Sequence, residues 1–174
     1  DDMVSRGLGD VYKRQEVIEI DALEIEEVNI SSTKIRLAIK DGNIRLANSY
    51  LGYKFFLSGE VVKGHSRGKE LGFPTANLKI DEDKIIPKSG VYLVKSIIGL
   101  QDIYGMMNIG YNPTFNNKSK KIETHFFNLN KNLYGKIIKI ELLEYIREEK
   151  RFETIDDLIQ RLKLDREKCL KLIH

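Results

Sequence analysis

Hydrophobic and polar positions change their period twice along this chain. Over residues 16–52 the pattern is mixed and then helical. Val17, Ile18 and Ile20 suit a short strand, and 23–28 is an acidic apolar stretch. Ser32 or Thr33 can cap a helix running through Ile35 and Ile39, with Gly42 at its C′ position. Asn43 can cap a second one through Leu46, Ala47 and Leu51, closed by Gly52. From Phe55 the period becomes that of strands, with candidates at 55–63, 90–98, 103–109, 122–128 and 136–146. The turns at 99–102 and 128–135 are short, which predicts antiparallel pairing. Five or more such strands without an intervening helix predict a barrel or sandwich, and closure into a barrel removes the exposed edges. The chain then returns to helix. Thr154 and Asp157 have capping-box spacing, Leu158, Ile159 and Leu162 supply an apolar face, and Asp165 is expected to cap a further turn or two through Leu170 and Ile173.

Two short helices cannot make a core of their own, so 16–52 reads as the tail of a larger domain, followed by an all-β unit with a helix over 53–174. Residues 1–15 mix Gly, Arg, Asp and Lys without either period and are expected to be a non-native leader.

Composition narrows the function classes. The chain has 174 residues, with 29 Lys plus Arg against 26 Asp plus Glu, a net charge of +3. That small excess, dispersed among acidic residues, does not predict a nucleic-acid partner. No apolar run approaches the roughly 20 residues that span a bilayer, so no membrane partner is expected. Cys169 is the only cysteine, which excludes an internal disulfide and a cysteine metal cluster. Its place beside Leu170 and Leu172 predicts buried packing, and the usage fits a reducing cytoplasm.

The stretch 59–77 carries the most chemical information. It contains Gly59, Gly64, Gly68 and Gly72 and ends Gly72-Phe73-Pro74-Thr75-Ala76-Asn77. Glycines let backbone N–H groups approach a phosphate, yet a glycine-rich connection is also an ordinary turn. It is not a P-loop, since no Gly-Lys-Ser or Gly-Lys-Thr follows at the required spacing. Pro74 pushes Phe73 into an extended conformation, and Thr75 and Asn77 then present oxygens on one face. Hard oxygens of that kind, with room for water and phosphate, suit Mg²⁺; two polar residues opening a strand are the plainer alternative.

These residues and others downstream resemble the riboflavin kinase family. Leu71-Gly72-Phe73-Pro74-Thr75-Ala76-Asn77 is similar to the family signature, and Gly90-Val91-Tyr92 to the strand after its nucleotide loop. Asn108-Ile109-Gly110-Tyr111-Asn112-Pro113-Thr114-Phe115 resembles its second glycine-containing loop, and Ile122-Glu123-Thr124-His125 the segment with its catalytic base. Ile146-Arg147-Glu148-Glu149-Lys150-Arg151-Phe152 resembles the turn into its C-terminal helix. The resemblance implies a mainly β protein, a six-stranded antiparallel Greek-key barrel with a C-terminal helix, using ATP-Mg²⁺ as donor and riboflavin as acceptor.

The roles implied are specific. Glu123 is the general base, although by spacing alone it is a solvent-facing strand glutamate. Gly64, His65, Arg67, Gly68, Lys69, Thr75 and Asn77 form the nucleotide site, with Thr75 and Asn77 also holding the metal; a solvated basic loop is the alternative for His65, Arg67 and Lys69. Arg147 and Phe152 close over the flavin by cation–π contact or stacking, while Phe152 serves equally well to staple the helix to the barrel. His125 shares the face of Glu123 and is read either as support for the site or as a simple core or surface histidine.

Upstream, Ile30-Ser31-Ser32-Thr33-Lys34-Ile35-Arg36 resembles the last nucleotide-binding motif of the FAD synthetase module in bifunctional bacterial enzymes. Its earlier motifs are absent from this chain, so the resemblance implies a helical remnant of an α/β nucleotidyltransferase domain without adenylyl transfer. Two other classes stay in view. A non-catalytic flavin-binding barrel needs no Mg²⁺ pair and no base. An oligonucleotide-binding barrel predicts a basic face with interleaved aromatics, which the near-balanced charge does not supply.

Overall fold

The computed structural model describes residues 24–25, 28–64, 67–111 and 120–173. The leader 1–15, the strand candidate at Val17, Ile18 and Ile20, His65, and Asn112 to Phe115 lie outside them. The chain divides into two compact units between Ser31 and Ser32. In the first, β1 (Glu24–Ile25) and β2 (Val28–Asn29) pair antiparallel in a small hairpin.

The second unit opens with α1 (Ser32–Lys40) and α2 (Ile44–Leu51). The Asn43 side chain accepts from Leu46 N–H and Gly52 closes α2 in the left-handed region at φ 72°, both as the sequence predicts. Six strands follow: β3 (Phe56–Val62), β4 (Ala76–Lys79), β5 (Gly90–Ile98), β6 (Gln101–Tyr111), β7 (Lys120–Phe126) and β8 (Ile137–Arg147). A single turn, α3 (Arg67–Glu70), sits between β3 and β4, and α4 (Ile155–Ile173) ends the chain. The strands close in the order β3-β4-β7-β6-β5-β8, every pair antiparallel. Strands β5, β6 and β7 form a meander and β8 returns beside β5, which is Greek-key order. Of the six, β4 has no counterpart among the strands expected from alternation, because four residues after Pro74 are too few to establish a period.

Alternation sorts the side chains. Leu78, Ile122, Met107, Ile109, Tyr92, Val94, Ile140 and Leu142 fill the barrel. A second cluster lies outside the wall, where Phe73, Val91, Leu93, Met106, Phe127 and Ile146 pack with Cys169, Leu162 and Leu170 of α4. Burying each of the larger aliphatic side chains contributes about 1.5–3 kcal/mol. Burial also pushes the Cys169 thiol up to about 12, with the Asp165 carboxylate adding to the rise, so this cysteine is a packing residue.

Two features go beyond local pattern. Helices α1 and α2 go with the barrel, not with the residues before them. Ile44 is 1% exposed and belongs to the barrel core, and Ala38, Ile39 and Ala47 pack against Phe55 and Ile85. The compact unit that holds the barrel begins at Ser32, because the helix pair buries its apolar face on the barrel. Asp165 does not cap a separate turn either. Helix α4 runs unbroken through it, and a buried ionic partner holds it inside. The start of α4 follows the sequence: the Thr154 hydroxyl accepts from Asp157 N–H at 3.1 Å and donates to its carboxylate at 2.6 Å.

Candidate active site

The signature segment enters the site through two constraints. Gly72, at φ 80°, turns the chain after α3, and Phe73 N–H donates back to Gly68 C=O at 2.7 Å. Phe73 then buries against the outer wall, and Pro74 leads into β4. Ala76 and Leu78 face the barrel interior, which leaves Thr75 and Asn77 on the outer face.

The glycine loop folds back over both. The α-carbon of Gly64 rests so closely on the Asn77 carboxamide that a Cβ there would overlap it. A Cβ on Gly68 would overlap the Phe73 carbonyl and lie 3.4 Å from the Thr75 hydroxyl. Glycine is required at both positions for close approach, and Asn77 is only 8% exposed beneath this cover. Lys69 is exposed on α3; Arg67 begins that turn.

Register brings the carboxylate to the same place. Asn77 of β4 lies directly opposite Glu123 of β7, which lies directly opposite Asn108 of β6. Neighbouring strands are about 4.8 Å apart, so Asn77, Glu123 and Asn108 form one outward-facing row of polar side chains. The Glu123 carboxylate is a quarter exposed and accepts an ion pair from Lys121 Nζ at 2.8 Å. The row continues through Val91 to Arg147, three strand spacings from Glu123, roughly 14 Å along the wall.

Arg147 and Phe152 lie together at that far end, with the guanidinium 5.8 Å from the ring centroid. The guanidinium also binds Asp165, with Nε 3.0 and 2.8 Å from the two carboxylate oxygens and Nη2 2.7 Å from one of them. Arg161 brings its Nε within 3.0 Å of the same carboxylate without hydrogen-bond alignment. The pairing of Asp165 with Arg147 is not legible in the sequence beyond one signal, an acidic residue four positions from both Arg161 and the buried Cys169 on one helical stripe.

His125 follows Glu123 by two residues on the same face of β7, beside the start of the signature segment. Its Nδ1 lies 2.9 Å from Pro74 C=O, and its ring meets Phe73 and Phe127 edge-on at 5.2 and 5.9 Å. It also borders a cavity of about 600 Å³ between the signature turn and α4, whose lining includes Phe73, Ile159, Lys163, Arg166 and Glu167.

Among the described residues no cluster of three His, Cys, Asp or Glu side chains could cage a metal. A hydroxyl and a carboxamide beside one carboxylate is instead a sparse oxygen set. It fits a cation that keeps waters and takes most of its ligands from substrate phosphates, as Mg²⁺ does.

The class these features define is a closed Greek-key barrel with a C-terminal helix, carrying on its outer wall a glycine loop over a Thr-x-Asn pair and an adjacent carboxylate. The riboflavin kinase (flavokinase) family model matches residues 51–173, and the chain belongs to that family. The chain is 37% identical over 155 residues to the bifunctional riboflavin kinase/FMN adenylyltransferase of Bacillus subtilis (strain 168), covering 87% of this chain and 49% of that protein. It is 39% identical over 153 residues to the Listeria monocytogenes protein of the same description, with the same two coverages. It thus spans about half the length of these curated relatives. A crystal structure from Streptococcus pneumoniae, described as a macrolide-efflux protein, superposes with a TM-score of 0.79 at 37% identity, covering 85% of this chain and 49% of that one.

Proposed function

We propose that this chain is a riboflavin kinase that transfers the γ-phosphoryl group of ATP to the 5′-hydroxyl of riboflavin, giving FMN and ADP. The observation that carries the reading is the convergence of Gly64, Gly68, Thr75 and Asn77 on the row that holds Glu123. Backbone of the glycine loop lies against the ATP phosphates, and the Thr75 hydroxyl and Asn77 carboxamide hold Mg²⁺ beside them. Held by these two residues, Mg²⁺ would supply neutralisation of the phosphate charge. Glu123 accepts the proton of the riboflavin 5′-hydroxyl as that oxygen bonds to the γ-phosphorus, and the bond from phosphorus to the ADP oxygen breaks.

The acceptor lies along the polar row, with its hydroxyl at Glu123 and its ring system toward Arg147 and Phe152. Asp165 already holds the guanidinium, so Phe152 and the uncommitted face of Arg147 are the surfaces left for stacking. His65, Arg67 and Lys69 supply cationic screening in the nucleotide loop. We further read 16–52 as the end of a nucleotidyltransferase module, with 31–36 its last nucleotide-binding motif, and we place the enzyme in the cytoplasm.

The test is product analysis. Purified chain with ATP, Mg²⁺ and riboflavin is expected to form FMN and no FAD, resolved by chromatography with fluorescence detection. Absence of FMN overturns the kinase assignment, whereas sustained FAD overturns only the reading of the upstream residues.

A further inference from the structure

We infer that His125 is a positioning residue for the phosphate site: through its bond to Pro74 it fixes the peptide that carries Thr75 against the strand that carries Glu123. The inference rests on the kinase reading above.

The ladder between β4 and β7 runs only over Ala76↔Thr124, Asn77↔Glu123 and Leu78↔Ile122. Thr75 lies one residue before the first of these pairs, at the point where the chain leaves the sheet. The carbonyl of Pro74 belongs to the peptide plane joining Pro74 to Thr75, so the orientation of that oxygen sets the Thr75 amide. His125 Nδ1 meets this oxygen at 2.9 Å and so extends the attachment of the segment to β7 by one side-chain bond. A carbonyl only accepts, so Nδ1 carries the hydrogen. The ring itself is held, since Phe73 and Phe127 flank it edge-on.

Thr75 is thereby fixed from two sides, with Gly68 packed near its hydroxyl and the His125 bond behind its amide. His125 and Glu123 are alternate residues of β7 on one face, so a shift of the imidazole bond changes the spacing between the phosphate ligand and the base. Nothing in this geometry requires His125 to touch substrate.

Three variants separate this role from simple packing. His125→Phe keeps a ring between Phe73 and Phe127 but cannot donate. His125→Asn places an amide nitrogen where Nδ1 stands, two bonds from Cβ, and His125→Gln places it one bond further out. Each is compared with the parent by calorimetric titration of a non-hydrolysable ATP analogue with Mg²⁺, by riboflavin binding, and by steady-state FMN formation. Near-ultraviolet circular dichroism fixes the folded fraction. One lost neutral hydrogen bond corresponds to about a five- to tenfold loss of nucleotide affinity. That loss is expected for Phe and Gln, with Asn close to the parent and riboflavin affinity within about twofold throughout. In a Thr75→Ala background the His125 variants are expected to add less than about twofold. The inference is overturned if Asn behaves like Gln, if riboflavin binding falls as far as nucleotide binding, or if the effects multiply with Thr75→Ala. A parent that binds nucleotide but makes no FMN would overturn the kinase reading instead, independently of how the variants rank.

Discussion

Arg147 and Asp165 form a buried two-pronged ion pair that joins the last residue of β8 to the middle of α4; the carboxylate is 1% exposed and the guanidinium 14%. Lys168 Nζ strengthens the same joint by donating to Ile146 C=O at 2.9 Å. Removing one member of a buried pair leaves the other charge unpaired, at a cost of about 3–5 kcal/mol. Asp165→Ala is therefore expected to lower stability by that order in urea denaturation. Arg147→Met combined with Asp165→Leu should recover part of the loss, since neither charge is then stranded. A cost below about 1 kcal/mol for Asp165→Ala would mean that α4 is held by its apolar contacts alone.

Glu123→Gln tests the proposed base. The amide keeps the size of the side chain at its place in the polar row but cannot take up the hydroxyl proton. Turnover is expected to fall about 10²–10⁴-fold, with riboflavin and ATP affinities little changed. Parent-like kcat in a variant with unaltered circular dichroism would remove Glu123 from the mechanism.

Gly64→Ala tests the cover over the proposed metal ligands. A methyl group at Gly64 overlaps the Asn77 carboxamide, and Asn77 is buried, so the loop or the amide must shift. Overpacking of this kind costs about 1–3 kcal/mol, and the strain falls where nucleotide is proposed to bind. ATP-Mg²⁺ affinity should drop while riboflavin affinity holds, the same pattern expected of Thr75→Ala and Asn77→Ala in calorimetry. Parent-like ATP-Mg²⁺ binding in all three variants would place the metal elsewhere.

What the sequence made legible and what it hid divide by range. Strand β5 coincides with the stretch 90–98 marked by its β-branched and aromatic residues, and the caps at Asn43, Gly52 and Thr154 are local signals. The glycines and the Thr-x-Asn pair were visible as composition and spacing. Their meeting with Glu123 was not, because it depends on register between β4 and β7 across a long separation. The bond from His125 to Pro74 spans 51 positions, and the bridge from Asn48 to Leu142 spans 94. Periodicity carries no information about such pairs. Strand β4 escaped for the opposite reason, being too short to display a period at all.

Protonation of His125 should couple stability to pH. Burial holds its imidazole below the ordinary value of 6.5; the bond to Pro74 opposes that shift, and the nearby Arg166 adds to it. The folded chain thus binds this proton less readily than the unfolded chain does. The stability contributed is present in full above pH 6.5 and is lost as pH falls through the lowered folded value. Thermal melts from pH 8 to pH 5 should show a steeper fall for the parent than for His125→Phe, whose ring cannot titrate. Parallel curves would show that the imidazole is solvated enough to charge without penalty.

The helix pair before the barrel gives the last test, because its place in the fold goes beyond local pattern. Asn48 binds the barrel in both directions: its Nδ2 donates to Leu142 C=O at 3.0 Å and its Oδ1 accepts from Phe55 N–H at 2.7 Å. Beside it, Ile44 reaches the barrel core and Ala47 is fully buried. A chain beginning at Tyr53 would expose that apolar surface and strip both backbone groups of their partner, whereas one beginning at Ser32 keeps the whole second unit. Asn48→Ala alone leaves a buried donor and acceptor unsatisfied, at about 1–3 kcal/mol for each group. The chain from Tyr53 is expected to melt well below the chain from Ser32, with Asn48→Ala made in the latter falling between them. Limited proteolysis should find the 32–51 helix pair as resistant as the strands. Equal melting temperatures for the chains starting at Ser32 and Tyr53 would show that the barrel is closed without the helices.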